Sequence, residues 1–204
     1  MGQRSKLSTR CAWCRMQDGL CICSALPHFT LRTRVSLVVH HREWPRTTNT
    51  GHLALRSLSN ASVALWGEEG QEIPEPESIV PPGTVGYALA PSGLPLDAAR
   101  AEELRAGPPV TLVVADGSWR QATKMNRRVP ALSVLPRLAL PPGPPSVYQL
   151  RVEPFEHGLA TFEAIARALG ILEGRDVQAA LEQAFRLMVQ RTLITRGRPS
   201  AVEL

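Results

Sequence analysis

The sequence predicts an α/β fold in which a parallel sheet is covered by helices. Short apolar runs alternate along the chain with stretches of helical character, the pattern of layered α/β domains. One run, Val110–Ala115, is continuously apolar, which is typical of a parallel strand buried on both faces. The beginning of the chain differs, because it holds all four cysteines and few other apolar residues. We therefore expect a small N-terminal segment, residues 1–30, and a main domain, residues 31–204.

Each predicted element follows from a local pattern. Short runs of β-branched and apolar residues predict strands at Val35–Val39, Ser62–Trp66, Gly86–Ala90, Val110–Ala115 and Val147–Val152. The stretches between and after them predict helices at Gly51–Leu58, Leu96–Arg105, Ser118–Arg128, Thr161–Leu172 and Val177–Ile194. Most of the 18 prolines lie in the connections, because proline cannot donate a hydrogen bond to a sheet and restricts the residue before it.

The charge of the chain favours a polyanionic partner. There are 23 lysines and arginines, nearly all of them arginine, against 18 acidic residues, and the net charge is +5. Basic side chains bind phosphate backbones by displacing condensed counterions. A basic protein without a nucleic-acid ligand is the other explanation, and charge alone does not separate the two.

The sequence predicts a cytoplasmic protein without a membrane segment. No apolar run reaches the roughly 18 residues that a membrane helix needs. The first residues, Met1–Arg10, are polar and basic, and no apolar run of the kind found in signal peptides follows them. No sequence pattern indicates an oligomeric state.

The four cysteines predict a metal site. They are Cys11, Cys14, Cys21 and Cys23. Cytosolic proteins rarely keep structural disulfides, and Cys21 and Cys23 are too close in sequence to bridge each other comfortably. Four thiolates on one short segment are able to surround a tetrahedral zinc ion with no open position, so the zinc would be structural. A redox thiol pair and an iron–sulfur cluster are the alternatives.

The continuous strand ends at an acidic residue. Asp116-Gly117-Ser118-Trp119 follows it and opens a predicted helix. Ligands of open α/β sheets bind beyond the carboxyl ends of strands, so Asp116 is a candidate general base or ligand-orienting carboxylate. Gly117 permits a tight turn or a close approach, and Trp119 offers a plane for stacking a base. The structural alternative is that Asp116 or Ser118 only caps the helix and Trp119 only packs in the core.

The helix after this motif is amphipathic. Its basic residues recur at spacings of three and four and so share one face; they are Arg120, Lys124, Arg127 and Arg128. Such a face suits an RNA phosphate backbone, and a solvated charged surface is the other explanation.

Several motifs in order resemble those of the DTW-domain family, the tRNA-uridine aminocarboxypropyltransferases. They are the four cysteines, His40-His41-Arg42-Glu43, the segment 46–51, Asp116-Gly117-Ser118-Trp119 with Arg120-Gln121-Ala122 and Pro130, Tyr148-Gln149-Leu150-Arg151, and the segment 158–164. The family's motif usually reads Asp-Gly-Thr-Trp. Ser118 stands at the threonine position and retains the hydroxyl, so capping or ligand binding is preserved.

The resemblance implies a fold, a cofactor and a reaction. The fold would be a SPOUT-like sheet with a knotted cofactor cleft, a threaded topology that periodicity does not predict. The cofactor would be S-adenosylmethionine, and the sequence lacks the Gly-x-Gly-x-x-Gly loop of dinucleotide sites. The 3-amino-3-carboxypropyl group would pass to N3 of a uridine in tRNA, with release of 5′-methylthioadenosine.

The resemblance also implies site residues. The catalytic residue would be Asp116, which removes the N3 proton or orients the uracil. The residues expected to bind the cofactor are Ala90, Pro91, Ser92, Gly117, Ser118, Trp119, Arg151, Thr161 and Glu163. Those expected to contact the substrate RNA are Asn49, Thr50, Arg120, Lys124, Arg127 and Arg128. Helix capping also explains Asn49 or Thr50, and Thr161, and a favourable interaction with the helix dipole also explains Glu163.

Two other functions fit the same residues. A SPOUT-class RNA methyltransferase would use the same cofactor and release S-adenosylhomocysteine. A zinc-containing RNA-binding protein without catalytic activity would bind RNA and have no affinity for the cofactor.

Overall fold

A parallel sheet of five strands forms the centre of the protein in the computed structural model, which describes residues 10–150 and 158–198. The strands are β1 (Arg34–His40), β2 (Ala61–Trp66), β3 (Val85–Pro95), β4 (Val110–Asp116) and β5 (Arg137–Ala139). Their order across the sheet is β2-β1-β4-β3-β5, and every neighbouring pair is parallel. The predicted α/β class with a parallel sheet is confirmed.

Helices connect and cover these strands. They are α1 (Ala54–Ser57), α2 (Pro76–Ile79), α3 (Ala98–Ala106), α4 (Trp119–Arg128), α5 (Pro130–Ser133), α6 (Thr161–Glu173) and α7 (Arg175–Thr195). All five predicted helices are present, although the first is divided into a 3-10 turn, Gly51–Leu53, and α1. The two four-residue helices α2 and α5 were not predicted, because one turn beginning at a proline has no periodicity to detect.

The prediction of a fifth strand at Val147–Val152 is wrong for its described part. Residues 147–150 belong to no strand, and residues 151 and 152 lie outside the described residues. The backbone N–H of Val147 donates to a Glu163 carboxylate oxygen at 2.9 Å instead of to a neighbouring strand. The fifth strand is β5, whose three residues are too few to form a recognisable pattern.

The third strand is longer than predicted. The predicted strand ends at Ala90, whereas β3 continues to Pro95 with a bulge, since the pairing with β5 shifts register between Leu89 and Leu94. Gly93 has φ +154, and a Cβ there would lie 2.4 Å from the Arg137 carbonyl oxygen. Only glycine permits this approach.

Both faces of the sheet are buried, and each face has its own core. In β4, Leu112 and Val114 belong to the larger apolar cluster beneath α6 and α7, while Val113 belongs to a smaller cluster beneath α4 and α5. Fully burying an aliphatic side chain contributes about 1.5–3 kcal/mol. The continuous apolar run of β4 therefore reflects burial on two sides, as the sequence predicted.

The cysteine segment packs against the main domain. Cys14, Met16 and Ile22 are members of the larger apolar cluster, and the Arg191 guanidinium of α7 donates a hydrogen bond to the Cys21 carbonyl oxygen. The N-terminal segment and the main domain thus share one core. Within the described part of the chain, no helix combines the length and apolar character needed to cross a membrane.

Candidate active site

The carboxyl ends of β1, β3, β4 and β5 open into a cleft of about 940 Å³. The connection after β1 leads to β2 on one side, and the connection after β4 leads to β5 on the other. The switch point of the sheet therefore lies between β1 and β4, where open α/β sheets bind ligands. Residues of α4, α6 and the segment 140–148 complete the walls.

Asp116 lies at the base of this cleft. It is the last residue of β4, pairs with Val39 of β1, and is only 4% exposed. The Thr161 hydroxyl donates a 2.6 Å hydrogen bond to Oδ1, and the Asn49 side-chain amide donates one of 2.5 Å to Oδ2. Two side chains from distant parts of the sequence therefore fix the orientation of this carboxylate.

Asn49 is oriented by the turn that follows it. Its side-chain oxygen accepts a 3.2 Å hydrogen bond from the backbone N–H of His52, and its carbonyl oxygen lies 2.7 Å from His52 Nδ1. Burial lowers the pKa of His52 to about 4, so the ring is neutral near pH 7 and Nδ1 is the protonated nitrogen facing that carbonyl. With its oxygen held, the amide nitrogen of Asn49 is directed at Asp116.

Gly51 passes beside the same carboxylate. A Cβ at this position would lie 2.5 Å from Asp116 Oδ2 and 3.1 Å from its Cγ. The backbone approaches this closely only because residue 51 has no side chain.

Ser118 caps α4. Its hydroxyl accepts from the backbone N–H of Gln121 at 3.4 Å, and the Gln121 side chain accepts from the backbone N–H of Ser118 at 2.7 Å. This is the reciprocal pair of a capping box. A Cβ at Gly117 would lie 2.9 Å from Gln121 Cβ, so the glycine makes room for the cap. The capping explanation of Ser118 is correct, and Ser118 also lines the cleft.

Most residues predicted to bind the cofactor line the cleft. They are Ala90, Pro91, Gly117, Ser118, Trp119 and Thr161. Ser92 is exposed at the bulge of β3 and is not part of the lining. Thr161 does not cap α6: it is the first helical residue, Ala160 occupies the N-cap, and its hydroxyl is directed at Asp116. Arg151 lies outside the described residues.

Glu163 is directed away from the cleft. Its carboxylate accepts hydrogen bonds from the Ser146 hydroxyl and from the backbone N–H groups of Val147 and Ala160. Burial raises its pKa, and these three donors oppose that effect. Glu163 therefore joins the start of α6 to the segment that forms one wall of the cleft.

The residues predicted to contact RNA fall into two groups. Asn49 and Thr50 are buried inside the cleft, where the Thr50 hydroxyl accepts from the backbone N–H of Phe162 at 3.2 Å. Arg120 is exposed at the rim. Lys124, Arg127 and Arg128 are exposed on α4 outside the cleft, and Lys124 Nζ lies 5.7 Å from the centre of the Trp66 ring.

The prediction missed several wall residues of the cleft, among them Tyr148 and Arg167. The Tyr148 hydroxyl donates a 2.7 Å hydrogen bond to the Thr48 carbonyl oxygen and closes one side of the cleft. Arg167 of α6 also lines the cleft. The helix was predicted, but no local pattern in the sequence indicated that Arg167 would reach the cleft.

The four cysteines form a compact cluster of free thiols. Cys11 and Cys23 have sulfurs 3.7 Å apart, Cys14 and Cys21 have sulfurs 3.6 Å apart, and all four lie within 4.8 Å of one another. A tetrahedral ion with bonds of about 2.3 Å separates its sulfur ligands by about 3.8 Å. The cluster is therefore compatible with one bound metal ion.

The thiols have different protonation tendencies. The backbone N–H groups of Cys14 and Trp13 lower the pKa of Cys11 to about 6. Burial raises the pKa of Cys14 and that of Cys23. A divalent cation removes the protons of coordinating thiols and compensates for the burial of their charge.

The cysteine cluster and the cleft are connected. His52 Nε2 lies 3.4 Å from the Cys14 carbonyl oxygen, while the other side of the same ring contacts Asn49. Burial lowers the pKa of Arg15, and the negative charge of Asp116 opposes that effect. A short path of packed groups therefore joins the cysteine segment to Asp116.

The geometry and the motifs agree with a known family. The model of the DTW domain matches residues 8–193. The chain belongs to the DTW-domain family. The match includes the cysteine cluster, Asp116 and the whole of α6, so both sites lie within the DTW domain.

Named relatives of this DTW domain carry one description. The chain is 27% identical over 175 residues to tRNA-uridine aminocarboxypropyltransferase 2 of Drosophila melanogaster, covering 81% of this chain and 67% of that protein. It is 26% identical over 214 residues to tRNA-uridine aminocarboxypropyltransferase A of Arabidopsis thaliana, covering 88% and 79%. A solved structure of the SAM-dependent rRNA:acp-transferase Tsr3 from Vulcanisaeta distributa has a TM-score of 0.48 and 16% identity, covering 82% of this chain and 80% of that one.

Proposed function

We propose that this DTW domain transfers the 3-amino-3-carboxypropyl group of S-adenosylmethionine to N3 of a uridine in tRNA and releases 5′-methylthioadenosine. The observation that carries the proposal is the position of Asp116. It is a buried carboxylate at the switch point of a parallel sheet, oriented by Asn49 and Thr161 inside a cleft that also holds Trp119. The choice of this reaction for the cleft is supported by membership of the DTW-domain family and by the names of the relatives.

Asp116 acts as the general base in this proposal. The N3–H of uracil is a weak acid, and a carboxylate within hydrogen-bond distance removes that proton as the N3–carbon bond forms. The hydrogen bonds from Asn49 and Thr161 hold the carboxylate still and stabilise its charge. The fixed orientation favours the transition state in which the base and the nucleophile are aligned.

The cleft has groups suited to each part of S-adenosylmethionine. Trp119 and the apolar wall supply a stacking surface for the adenine, and Glu43, which forms an ion pair with Arg46, supplies negative charge for an ammonium. When bound, this cofactor supplies an electrophilic γ-carbon with a neutral thioether as the leaving group. Ala90, Pro91, Gly117 and Ser118 complete the proposed binding surface, and Ser92, Arg151 and Glu163 remain proposals from the motifs.

The proposed tRNA surface extends from the cleft along α4. Arg120 at the rim begins a basic face that continues through Lys124, Arg127 and Arg128. These side chains would bind phosphates, while Asn49 and Thr50 inside the cleft would contact the target uridine. Lys124 beside Trp66 adds an aromatic plane next to the charge.

The proposed role of the cysteine cluster is structural. Cys11, Cys14, Cys21 and Cys23 would hold a zinc ion with no open coordination position, which excludes a catalytic role for that ion. We propose residues 1–30 as the zinc-binding segment and residues 31–204 as the catalytic domain. A knotted SPOUT-like arrangement of the cofactor cleft and a cytoplasmic location, where thiols stay reduced, also belong to the proposal.

The test is to incubate the purified protein with unmodified tRNA and S-adenosylmethionine and to identify the small-molecule product by mass spectrometry. We expect 5′-methylthioadenosine together with a uridine that gains the mass of the aminocarboxypropyl group. S-adenosylhomocysteine would instead identify a methyltransferase. Retention of tRNA without any cofactor product would favour an RNA-binding protein.

A further inference from the structure

The charged residues of the cleft are few. Among the described residues that line it, those with a formal charge are Glu43, Asp116, Arg120 and Arg167. A substrate with both an ammonium and a carboxylate needs a cation as well as an acid, and the acids of the cleft are Glu43 and Asp116. The two arginines are therefore the described cations that could receive a carboxylate inside the cleft.

Arg167 lies on the same helix as the hydroxyl partner of Asp116. Thr161, Ala164 and Arg167 follow one another at spacings of three on α6, and all three line the cleft. Thr161 donates to Asp116 at 2.6 Å. With a rise of about 1.5 Å per residue, Arg167 lies about 9 Å further along the helix axis than Thr161.

The guanidinium of Arg167 is held against the opposite wall. One terminal nitrogen donates a 2.8 Å hydrogen bond to the Pro144 carbonyl oxygen, and a Cβ at Gly143 would lie 3.1 Å from the other. A guanidinium has five N–H donors, and Pro144 is its hydrogen-bond partner among the described residues. Glu163, one turn earlier, accepts its hydrogen bonds from Ser146, Val147 and Ala160, and the positive charge of Arg167 acts to lower its pKa against the effect of burial.

We propose that Arg167 binds the carboxylate of the aminocarboxypropyl group and so selects for a cofactor that carries it. The assignment rests on the proposed function. Arg120 is less suited, because it is exposed on the first turn of α4, on the side where the basic RNA-facing surface begins. Arg167 is half-buried and already fixed by Pro144, so a carboxylate would meet a preorganised donor pair.

The test compares two ligands that differ by one carboxylate. Isothermal titration calorimetry would measure the Kd of S-adenosylmethionine and of decarboxylated S-adenosylmethionine for wild type, Arg167→Met and Arg167→Lys. A charge-assisted hydrogen-bonded pair predicts that wild type prefers the carboxylated ligand by about 10- to 100-fold. Arg167→Met should remove that preference while binding the decarboxylated ligand as wild type does, and Arg167→Lys should retain part of it.

The outcomes separate this proposal from the proposed function. If Arg167→Met still prefers the carboxylated ligand, the assignment of Arg167 is wrong and the proposed function stands. The same holds if Arg167→Met loses affinity for both ligands equally, because Arg167 would then only support the wall at Pro144. Wild-type protein that binds neither ligand would overturn the proposed function and the assignment with it. Arg175→Met, on the exposed start of α7, is the matched control and should retain the wild-type preference.

Discussion

The cysteine cluster and the Asp116 cleft are built in opposite ways. The cluster takes its four sulfurs from one stretch of chain between residues 11 and 23. The cleft takes its groups from four strand ends and two helices, so that the two side chains hydrogen-bonded to Asp116 come from residues 49 and 161. The first arrangement would be held together by the proposed zinc ion, and the second depends on the fold of the whole sheet. We therefore expect changes in the cluster to affect stability most, and changes in the cleft to affect turnover most.

The largest effect is expected from Cys14→Ser. Cys14 is the buried member of the cluster, and structural zinc contributes about 10–16 kcal/mol of binding free energy in small zinc-dependent folds. Zinc content by atomic emission should fall to background, and the melting temperature should fall with it. Ser24→Ala, on the neighbouring exposed 3-10 turn, should change neither quantity. A Cys14→Ser variant with unchanged melting temperature and no zinc in the wild type would refute the structural role.

Asp116→Asn should have the largest effect on the chemistry. The amide is nearly isosteric, and the Thr161 hydroxyl is able to accept from it while Asn49 donates to its oxygen. The fold should therefore persist while the kcat for tRNA falls by about 10²–10⁴-fold through loss of the base.

The control for this variant is Asp97→Asn. Asp97 caps α3 away from the cleft, and asparagine caps about as well as aspartate, so activity should be retained. Calorimetry should give a similar Kd for S-adenosylmethionine in both variants. Wild-type kcat in Asp116→Asn would exclude Asp116 as the base.

The two sites also differ in how much the sequence predicts. The cysteine spacing alone predicts the cluster, because ligands close in sequence are close in space. Asp116 was predicted because the carboxyl end of a buried strand is a general ligand position. Its hydrogen bonds to Asn49 and Thr161 required the topology, which brings residues from three distant segments together. Glu163 shows what residue type alone does not predict. An acidic residue at the start of α6 suggested a ligand contact, whereas in the structure its carboxylate joins two segments of the cleft wall.

The strands also differ in how well the sequence predicts them. Strands with long apolar runs, such as β4, were predicted because a strand that is buried on both faces consists almost entirely of apolar residues. The three residues of β5 have no pattern of their own and form a strand only because β3 is beside them. The bulge at Gly93 depends on the Arg137 carbonyl oxygen, a contact that no local pattern records.

Gly51→Ala tests whether the cleft depends on the position of Asp116, because it adds one methyl group beside that carboxylate. The new Cβ would lie 2.5 Å from Asp116 Oδ2, so the carboxylate or the turn must move. A displacement of about 1 Å in a positioned group costs up to about 10²-fold in rate, and the loss should be in kcat. Gly107→Ala, where the nearest atom is 3.7 Å away, should retain activity. Equal kcat values for the two variants would show that the carboxylate tolerates displacement.

Thr161→Val should have the smallest effect, because it removes one hydrogen bond and keeps the shape of the side chain. The hydroxyl donates at 2.6 Å to Asp116 Oδ1, and a hydrogen bond to a charged group contributes about 1.5–3 kcal/mol. We expect kcat to fall by about tenfold or more because the carboxylate is less well oriented, and the melting temperature to fall by only a few degrees. Thr161→Ser keeps the donor and should recover most of the rate. A variant with lower stability and normal kcat would instead assign Thr161 to the structure of α6, and the orientation of Asp116 would then depend on Asn49.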